Sequence, residues 1–194
     1  MQWEQLVELF RSRPLSNKNH YLRWEGDCDQ LQMCAKRGIE LDQSRGAAKT
    51  GEAGFNFGTS HLYFSVLFDG TKVDVLEMIT TTQDLDHFAP VEIAEPLLET
   101  VLAHYGVYHL LFHPAHITKP KVAAAIYRTV KMAKDAGLEW WTAGRINTWE
   151  RARRRAEWTG GEGGGAVLSV QDNMPGATVL WLKAGDVDAA PSVN

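Results

Sequence analysis

The sequence has few cysteines, no long apolar run and no secretion signal at its N-terminus. Its 194 residues contain only two cysteines, Cys28 and Cys34, which is too few for the disulfide framework of a small secreted domain. No apolar run reaches the roughly 20 residues of a membrane-spanning helix. The N-terminus lacks the basic-then-apolar pattern of a secretion signal. We therefore expect a cytoplasmic protein with no membrane partner.

The sequence also lacks an excess of positive charge. Its net charge is −4, with 20 basic and 24 acidic side chains. Proteins that bind nucleic acid usually carry a clear basic face, so we expect no nucleic-acid partner. The basic run at residues 151–155 is predicted to be the solvated side of a helix.

Hydrophobic periodicity predicts alternating strands and helices. Helices are expected at 3–10, 27–37, 93–101, 120–137 and 142–153. Strands are expected at 20–24, 39–41, 61–68, 72–79, 107–112 and 138–141. This alternation predicts an α/β fold with a mostly parallel sheet. Because a closed eight-stranded barrel needs about 250 residues, the fold is either an open sheet or a partial, irregular (β/α) barrel.

A glycine-rich tract at residues 160–165 predicts a break in the chain. We therefore divide the sequence into a main α/β domain, residues 1–158, and a C-terminal part, residues 159–194. The C-terminal part is expected to hold a small β hairpin, built from residues 166–170 and 178–182, and a loose tail from residue 186.

The run HLLFHPAH at residues 109–116 is the most informative stretch of the chain. His113 follows a predicted buried strand, and Pro114 ends the ladder pairing of that strand. In α/β barrels the C-terminal ends of the strands carry the side chains that meet substrate. His113 is therefore a candidate catalytic residue, and the alternative is a hydrogen-bonded histidine in an ordinary strand-to-helix turn.

Five short motifs together resemble the polysaccharide deacetylase family, the NodB-homology group of family 4 carbohydrate esterases. They are NHYLRW at 19–24, GIELDQS at 38–44, GFNFGT at 54–59, LLFHP at 110–114 and GLEWWT at 137–142. The resemblance covers about residues 15 to 155. It implies an irregular (β/α) barrel that removes acetyl groups from N-acetylated glycans, with zinc activating the water.

The resemblance also implies roles for individual residues. His113 matches the histidine that protonates the leaving amine, and Asp42 matches the carboxylate that follows a middle strand. With His20 they are the implied catalytic group, expected at one end of the sheet. The implied substrate-binding residues are Arg23, Trp24 and Trp141. The basic residue that precedes Asp42 in the family is either Lys18 or Arg23.

The chain departs from the family in its metal site. The Thr-Phe-Asp-Asp motif, which supplies the base and one metal ligand, is absent from the sequence, and no His-x-x-x-His follows at the expected place. His109 and His113 have that spacing, but on a predicted strand they would lie about 13 Å apart, which is too far for one metal ion. The resemblance therefore implies the C-terminal part of a catalytic domain, which lacks its N-terminal half and is unable to hold zinc alone. The expectation is an inactive fragment.

Two other interpretations stay open. One is a non-catalytic module that binds a glycan or a protein. The other is a metal hydrolase that uses His113, His116 and an aspartate, with Asp84 and Asp86 as the candidates for the third ligand.

Overall fold

Short strands alternate with longer helices in the computed structural model, which describes residues 2–24, 26–47, 49–159, 167–169 and 174–177. The helices are α1 (Gln2–Phe10), α2 (Asp29–Lys36), α3 (Ala94–Ala103), α4 (Pro114–Ile117), α5 (Pro120–Asp135) and α6 (Ala143–Arg154). The strands are β1 (Ser16–Asn17), β2 (Leu41–Asp42), β3 (Tyr63–Val66), β4 (Lys72–Glu77), β5 (Thr82–Gln83), β6 (Leu110–Leu111), β7 (Glu157–Thr159) and β8 (Val167–Ser169). None of the helices in these ranges is both long and apolar enough to cross a membrane.

The larger of two compact units, residues 1–147, contains a four-stranded sheet in the order β1-β2-β4-β3. Strands β1, β2 and β4 are parallel, and β3 joins the edge antiparallel to β4. A tight turn at Asp69-Gly70, a dipeptide typical of hairpin turns, connects β3 to β4. The α/β class with a mostly parallel sheet is therefore confirmed.

Strands β5 and β6 form a second, parallel pair. Strand β6 lies within the run at residues 109–116. The predicted strand at 107–112 is confirmed at its centre, where β6 lies. The backbone carbonyls of His109 and Leu111 accept hydrogen bonds from Thr81 and Asp84. Residues 80–85 are mostly polar, a composition typical of a loop, yet all six are buried. Backbone pairing with β6 lets this polar segment be buried without losing its hydrogen bonds.

Two predicted strands are absent. Residues 20–24 form a turn of 3-10 helix, in which Tyr21 and Leu22 have positive φ angles of 59° and 51°. Residues 138–141 form no regular structure and pair with none of the described strands. They follow Gly137, whose φ of +84° turns the chain away from α5.

The helices match the predictions closely. Pro120 occupies the first turn of α5, and the Thr142 hydroxyl accepts a hydrogen bond from the Arg145 backbone N–H at the start of α6. Cys28 and Cys34 are buried and unpaired, in a cluster where α2 packs against β4. Both therefore act as packing residues of this core.

The smaller unit, residues 148–194, contains an antiparallel pair, β7 and β8. The predicted strand at 166–170 is present as β8, but its partner is β7. The predicted partner at 178–182, the glycine tract at 160–165 and the tail from 186 lie outside the described residues.

The loop at residues 44–60 is anchored to the second strand pair through Gly46. Gly46 pairs with Thr80 in an isolated parallel bridge and has a φ of +134°. A Cβ atom at Gly46 would lie 2.3 Å from the Thr80 carbonyl oxygen and 2.6 Å from its nitrogen. Both contacts are with backbone, so neither can be relieved by a side-chain rotation.

Gly46→Ala is therefore predicted to lower the free energy of unfolding by about 3 kcal/mol or more. The matched control is Gly58→Ala in the same loop, where φ is +73° but no atom lies within 4 Å of the added Cβ. Gly58→Ala should lower the free energy of unfolding by only about 1 kcal/mol. Urea unfolding of both variants measures the difference, and equal losses would contradict the close approach at Gly46.

Candidate functional site

The Asp84 carboxylate lies where β5 ends, with no exposed surface. One of its oxygens, Oδ1, accepts a hydrogen bond from the His113 backbone N–H at 2.8 Å. The other, Oδ2, contacts Nδ1 of His113 and lies 2.8 Å from Nδ1 of His116. We call Asp84, His113 and His116 the Asp84 cluster.

The local sequence explains how the two histidines converge. His113 is the N-cap of α4, Pro114 occupies the first helical position, and His116 follows one turn later. Residues three apart in a helical turn are neighbours, and the two imidazole centroids are 5.2 Å apart. Because β6 is paired with β5, the turn that follows β6 places the His113 and His116 rings beside Asp84, the residue that follows β5.

Electrostatics favour an ionised Asp84. Burial raises the pKa of its carboxyl, but hydrogen bonds from the His113 backbone, the His113 ring and the His116 ring lower it by more. The net effect is a pKa below the usual aspartate value. The carboxylate is therefore a fixed negative charge that holds two imidazole rings by Nδ1.

This arrangement suits two kinds of chemistry. If each Nδ1 donates its proton to Asp84, each Nε2 is left for proton transfer, as in carboxylate–histidine pairs. Alternatively, one ligand atom from each of the three side chains lies within 4.8 Å of the other two, which is close enough to surround one metal ion. The histidine side chains are 39% and 23% exposed, so a substrate can reach both.

Further rings border the Asp84 cluster. The His87 ring lies edge-on to His116, with centroids 4.2 Å apart, and the Phe88 ring lies 5.7 Å from that of His116. Nothing in the sequence spacing of His87 indicates its contact with His116. Asp86, the other candidate ligand, is exposed and accepts a hydrogen bond from the Val91 backbone N–H instead.

Asp42 belongs to a different group of buried polar residues. It lies in a row that crosses the four-stranded sheet, in which Asn17, Asp42, Glu77 and Tyr63 are register partners on successive strands. The Asp42 carboxylate accepts hydrogen bonds from the Asn17 amide and from the backbone N–H and hydroxyl of Ser44. It forms no hydrogen bond with the Asp84 cluster.

Lys18 is the basic residue beside Asp42, which favours it over Arg23 for that position. Its ammonium group donates to the Thr80 hydroxyl at 2.8 Å and to the Gln43 carbonyl at 3.2 Å. Burial lowers its pKa to about 8, although Asp42 acts in the opposite direction.

The remaining predicted residues occupy other places. His20 is exposed and packs against the neighbouring Tyr21 ring. Arg23 is exposed on the same turn of 3-10 helix. Trp24 lies under the Arg45 guanidinium at 4.3 Å, and Trp141 lies under that of Arg145 at 3.9 Å. The structure therefore groups His113 with Asp84 and His116 through hydrogen bonds, and places Asp42 and His20 in other local groups.

Asp84→Asn tests the charge of the buried carboxyl. Because the folded-state pKa of Asp84 is lowered, its stabilising contribution is present above the unfolded pKa of about 4 and is lost as the pH falls below it. We expect the substitution to cost about 2 kcal/mol at about pH 5.5 and less at about pH 3.5, measured by urea unfolding. The same cost at both pH values would contradict an ionised Asp84.

Comparisons with protein-family models, with curated proteins and with solved structures found no match to this chain.

Proposed function

We propose that the chain hydrolyses the N-acetyl amide of a carbohydrate, with His113 as the proton donor to the leaving amine. The proposal rests on two contacts between Asp84 and His113. The Asp84 carboxylate accepts a hydrogen bond from the His113 backbone N–H and also contacts Nδ1 of the His113 ring. The sequence motifs that resemble polysaccharide deacetylases supply the substrate class. The partial or irregular (β/α) barrel of that family is part of the same proposal, supported by the parallel pairs β1-β2-β4 and β5-β6.

The Asp84 cluster offers a donor and an acceptor of protons. Hydrolysis of the amide requires that water lose a proton as it attacks the carbonyl carbon and that nitrogen gain one as the C–N bond breaks. A neutral imidazole accepts a proton and a protonated imidazole donates one. His116 would take the proton from water and His113 would deliver one to the amine, so that acetate and the free amine leave.

Asp84 acts through the two imidazoles. Its hydrogen bonds orient both rings, and its charge stabilises the imidazolium that forms on His116 when water is deprotonated. This role requires a carboxylate that stays ionised and is excluded from water. Asp84 meets both requirements, because its pKa is lowered and its side chain is buried.

A second candidate function is metal-dependent hydrolysis at the same residues. Two imidazoles and one carboxylate suit zinc in their donor types, and their ligand atoms are close enough together for one ion. Asp84, His113 and His116 would hold the ion, which when bound would supply a water activated at neutral pH. Either candidate would replace the expectation of an inactive fragment, because the Asp84 cluster would carry out the reaction with residues of this chain.

The deciding experiment measures acetate released from chitopentaose by the purified chain, with added zinc and with a chelator. His113→Gln should lower the rate about 10²–10⁴-fold, because it removes the proton donor. Asp84→Asn should lower it about 10–100-fold, because both rings lose their orientation. The control is His104→Gln, an exposed histidine at the end of α3, which should leave the rate unchanged.

The chelator distinguishes the two candidates. Acetate release that survives chelation supports proton transfer by the two histidines. Release that requires zinc, with one equivalent of zinc bound by the wild-type chain and none by His116→Ala in calorimetry, supports the metal site. No acetate release under either condition, from a chain that is folded by circular dichroism, would overturn the proposed function.

A further inference from the structure

A cavity of about 420 Å³ lies beside edge strand β3 and takes no part in the proposed reaction. It is lined by residues 63–66 and by Trp24, Asp27, Cys28 and Arg45. None of these residues belongs to the Asp84 cluster. The volume falls in the range of pockets that bind small ligands.

Arg45 supplies a positive charge to the wall of this cavity. The central carbon of its guanidinium lies 4.3 Å from the centroid of the Trp24 ring, and Nη2 donates to the Asp27 backbone carbonyl at 2.6 Å. The group also hydrogen-bonds the Tyr63 hydroxyl and forms an ion pair with Glu77 at 3.3 Å. These contacts hold the guanidinium in place before any ligand arrives, which lowers the entropy lost on binding. Because a guanidinium carries more N–H donors than these contacts use, the group can also bind a ligand.

Two acidic residues lie close to Arg45, and they differ in how strongly they offset its charge. Asp27 is exposed, so water screens the charge of its side chain. Glu77 lies behind the lining without being part of it, and its side chain has no exposed surface. Glu77 is therefore the buried counterion of Arg45.

Glu77 is poorly stabilised as an ion. Its Oε1 accepts a hydrogen bond from Ser65 at 2.9 Å and contacts Arg45, but its Oε2 has no hydrogen-bond partner in the described part of the chain. Burial raises the pKa of its carboxyl to about 7, against the opposing effect of Arg45. Near neutral pH, uptake of a proton by Glu77 therefore leaves Arg45 without its buried counterion.

The other ionisable groups around Glu77 do not take over this role. Asp42, on the neighbouring strand β2, acts on Glu77 to raise its pKa, and its own carboxylate is held by hydrogen bonds with other partners. Tyr63 on β3 and Cys34 on α2 have raised pKa values, so both are uncharged near neutral pH. Once Glu77 is protonated, an anion that enters the cavity can replace it as the counterion of Arg45.

We propose that this cavity binds a small organic carboxylate on the Arg45 guanidinium, and that Glu77 takes up a proton as the ligand binds. A carboxylate matches the planar fork of a guanidinium, and a single cation suits a ligand with a single negative charge. The rings of Trp24 and Phe64 in the lining suit an apolar body behind the carboxylate. Repulsion from the bound carboxylate disfavours the ionised form of Glu77, which couples binding to proton uptake. This site is independent of the reaction proposed for the Asp84 cluster.

Benzoate is the probe, and benzamide, which has a similar shape without the charge, is its matched control. Binding is followed by the NMR shift of the Trp24 indole N–H during titration. Benzoate should bind at least about tenfold more tightly than benzamide, because charge-assisted hydrogen bonds are the stronger ones. Its affinity should be about tenfold higher at about pH 6 than at about pH 8, because the protonated fraction of Glu77 falls by about that factor.

Two substitutions test the roles of the paired groups. Glu77→Gln keeps the guanidinium and removes its counterion, so it should bind benzoate equally tightly at both pH values. Arg45→Gln should weaken the binding about 10–100-fold. The control is Arg128→Gln, an exposed arginine on α5 outside the cavity lining, which should change the affinity less than about twofold.

Binding of benzamide as tightly as benzoate would overturn the inference, as would a wild-type affinity for benzoate that is the same at both pH values. No shift of the Trp24 signal in a chain with a folded spectrum would also overturn it, and so would equal weakening by Arg45→Gln and Arg128→Gln. If Arg45→Gln does not fold, Glu77→Gln decides the question. A pH dependence that persists unchanged in Glu77→Gln would assign the proton to another group and contradict the proposed coupling.

Discussion

The arrangement around His113 depends on one buried carboxylate. A carboxylate with no exposed surface is costly unless each oxygen is hydrogen-bonded, and Asp84 meets that condition only because the chain after β6 supplies a backbone N–H and two imidazoles. The same contacts join the end of β5 to the start of α4. Folding of this region and placement of the two rings are therefore consequences of the same hydrogen bonds.

The four-stranded sheet also contains buried carboxylates that depend on neighbouring polar groups. Its strands are short, and a row of polar residues crosses it where β1, β2 and β4 end. Asp42 and Glu77 are adjacent in this row, with Lys18 and Arg45 close enough to offset their charges. Buried charges of both signs seldom improve stability over apolar packing, so such a row indicates a surface kept for binding or chemistry.

Local sequence signals predicted the elements that are stabilised locally. The stripe of α5 with Pro120 at its start, and the turn at Asp69-Gly70, are fixed by neighbouring residues. The failures are non-local. Residues 138–141 have the apolar content of a strand, but no described strand pairs with them, and residues 80–85 look like a loop but are buried by pairing with β6.

In the candidate site, too, the sequence predicted the features that depend on neighbouring residues and missed those that depend on tertiary contacts. The convergence of His113 and His116 follows from the short turn at Pro114, and sequence spacing anticipated it. The choice of Asp84 over Asp86 depends on which carboxylate ends a paired strand, which spacing does not determine. His87 was missed because its contact with His116 is a tertiary one.

The protonation of the two imidazoles tests the central claim most directly. Nitrogen-15 NMR of the histidine rings, at a pH where both are neutral, distinguishes a proton on Nδ1 from one on Nε2. If Asp84 accepts from both rings, His113 and His116 carry their protons on Nδ1, and Asp84→Asn changes that pattern. Protons on Nε2 of both rings in the metal-free wild-type chain would contradict the account.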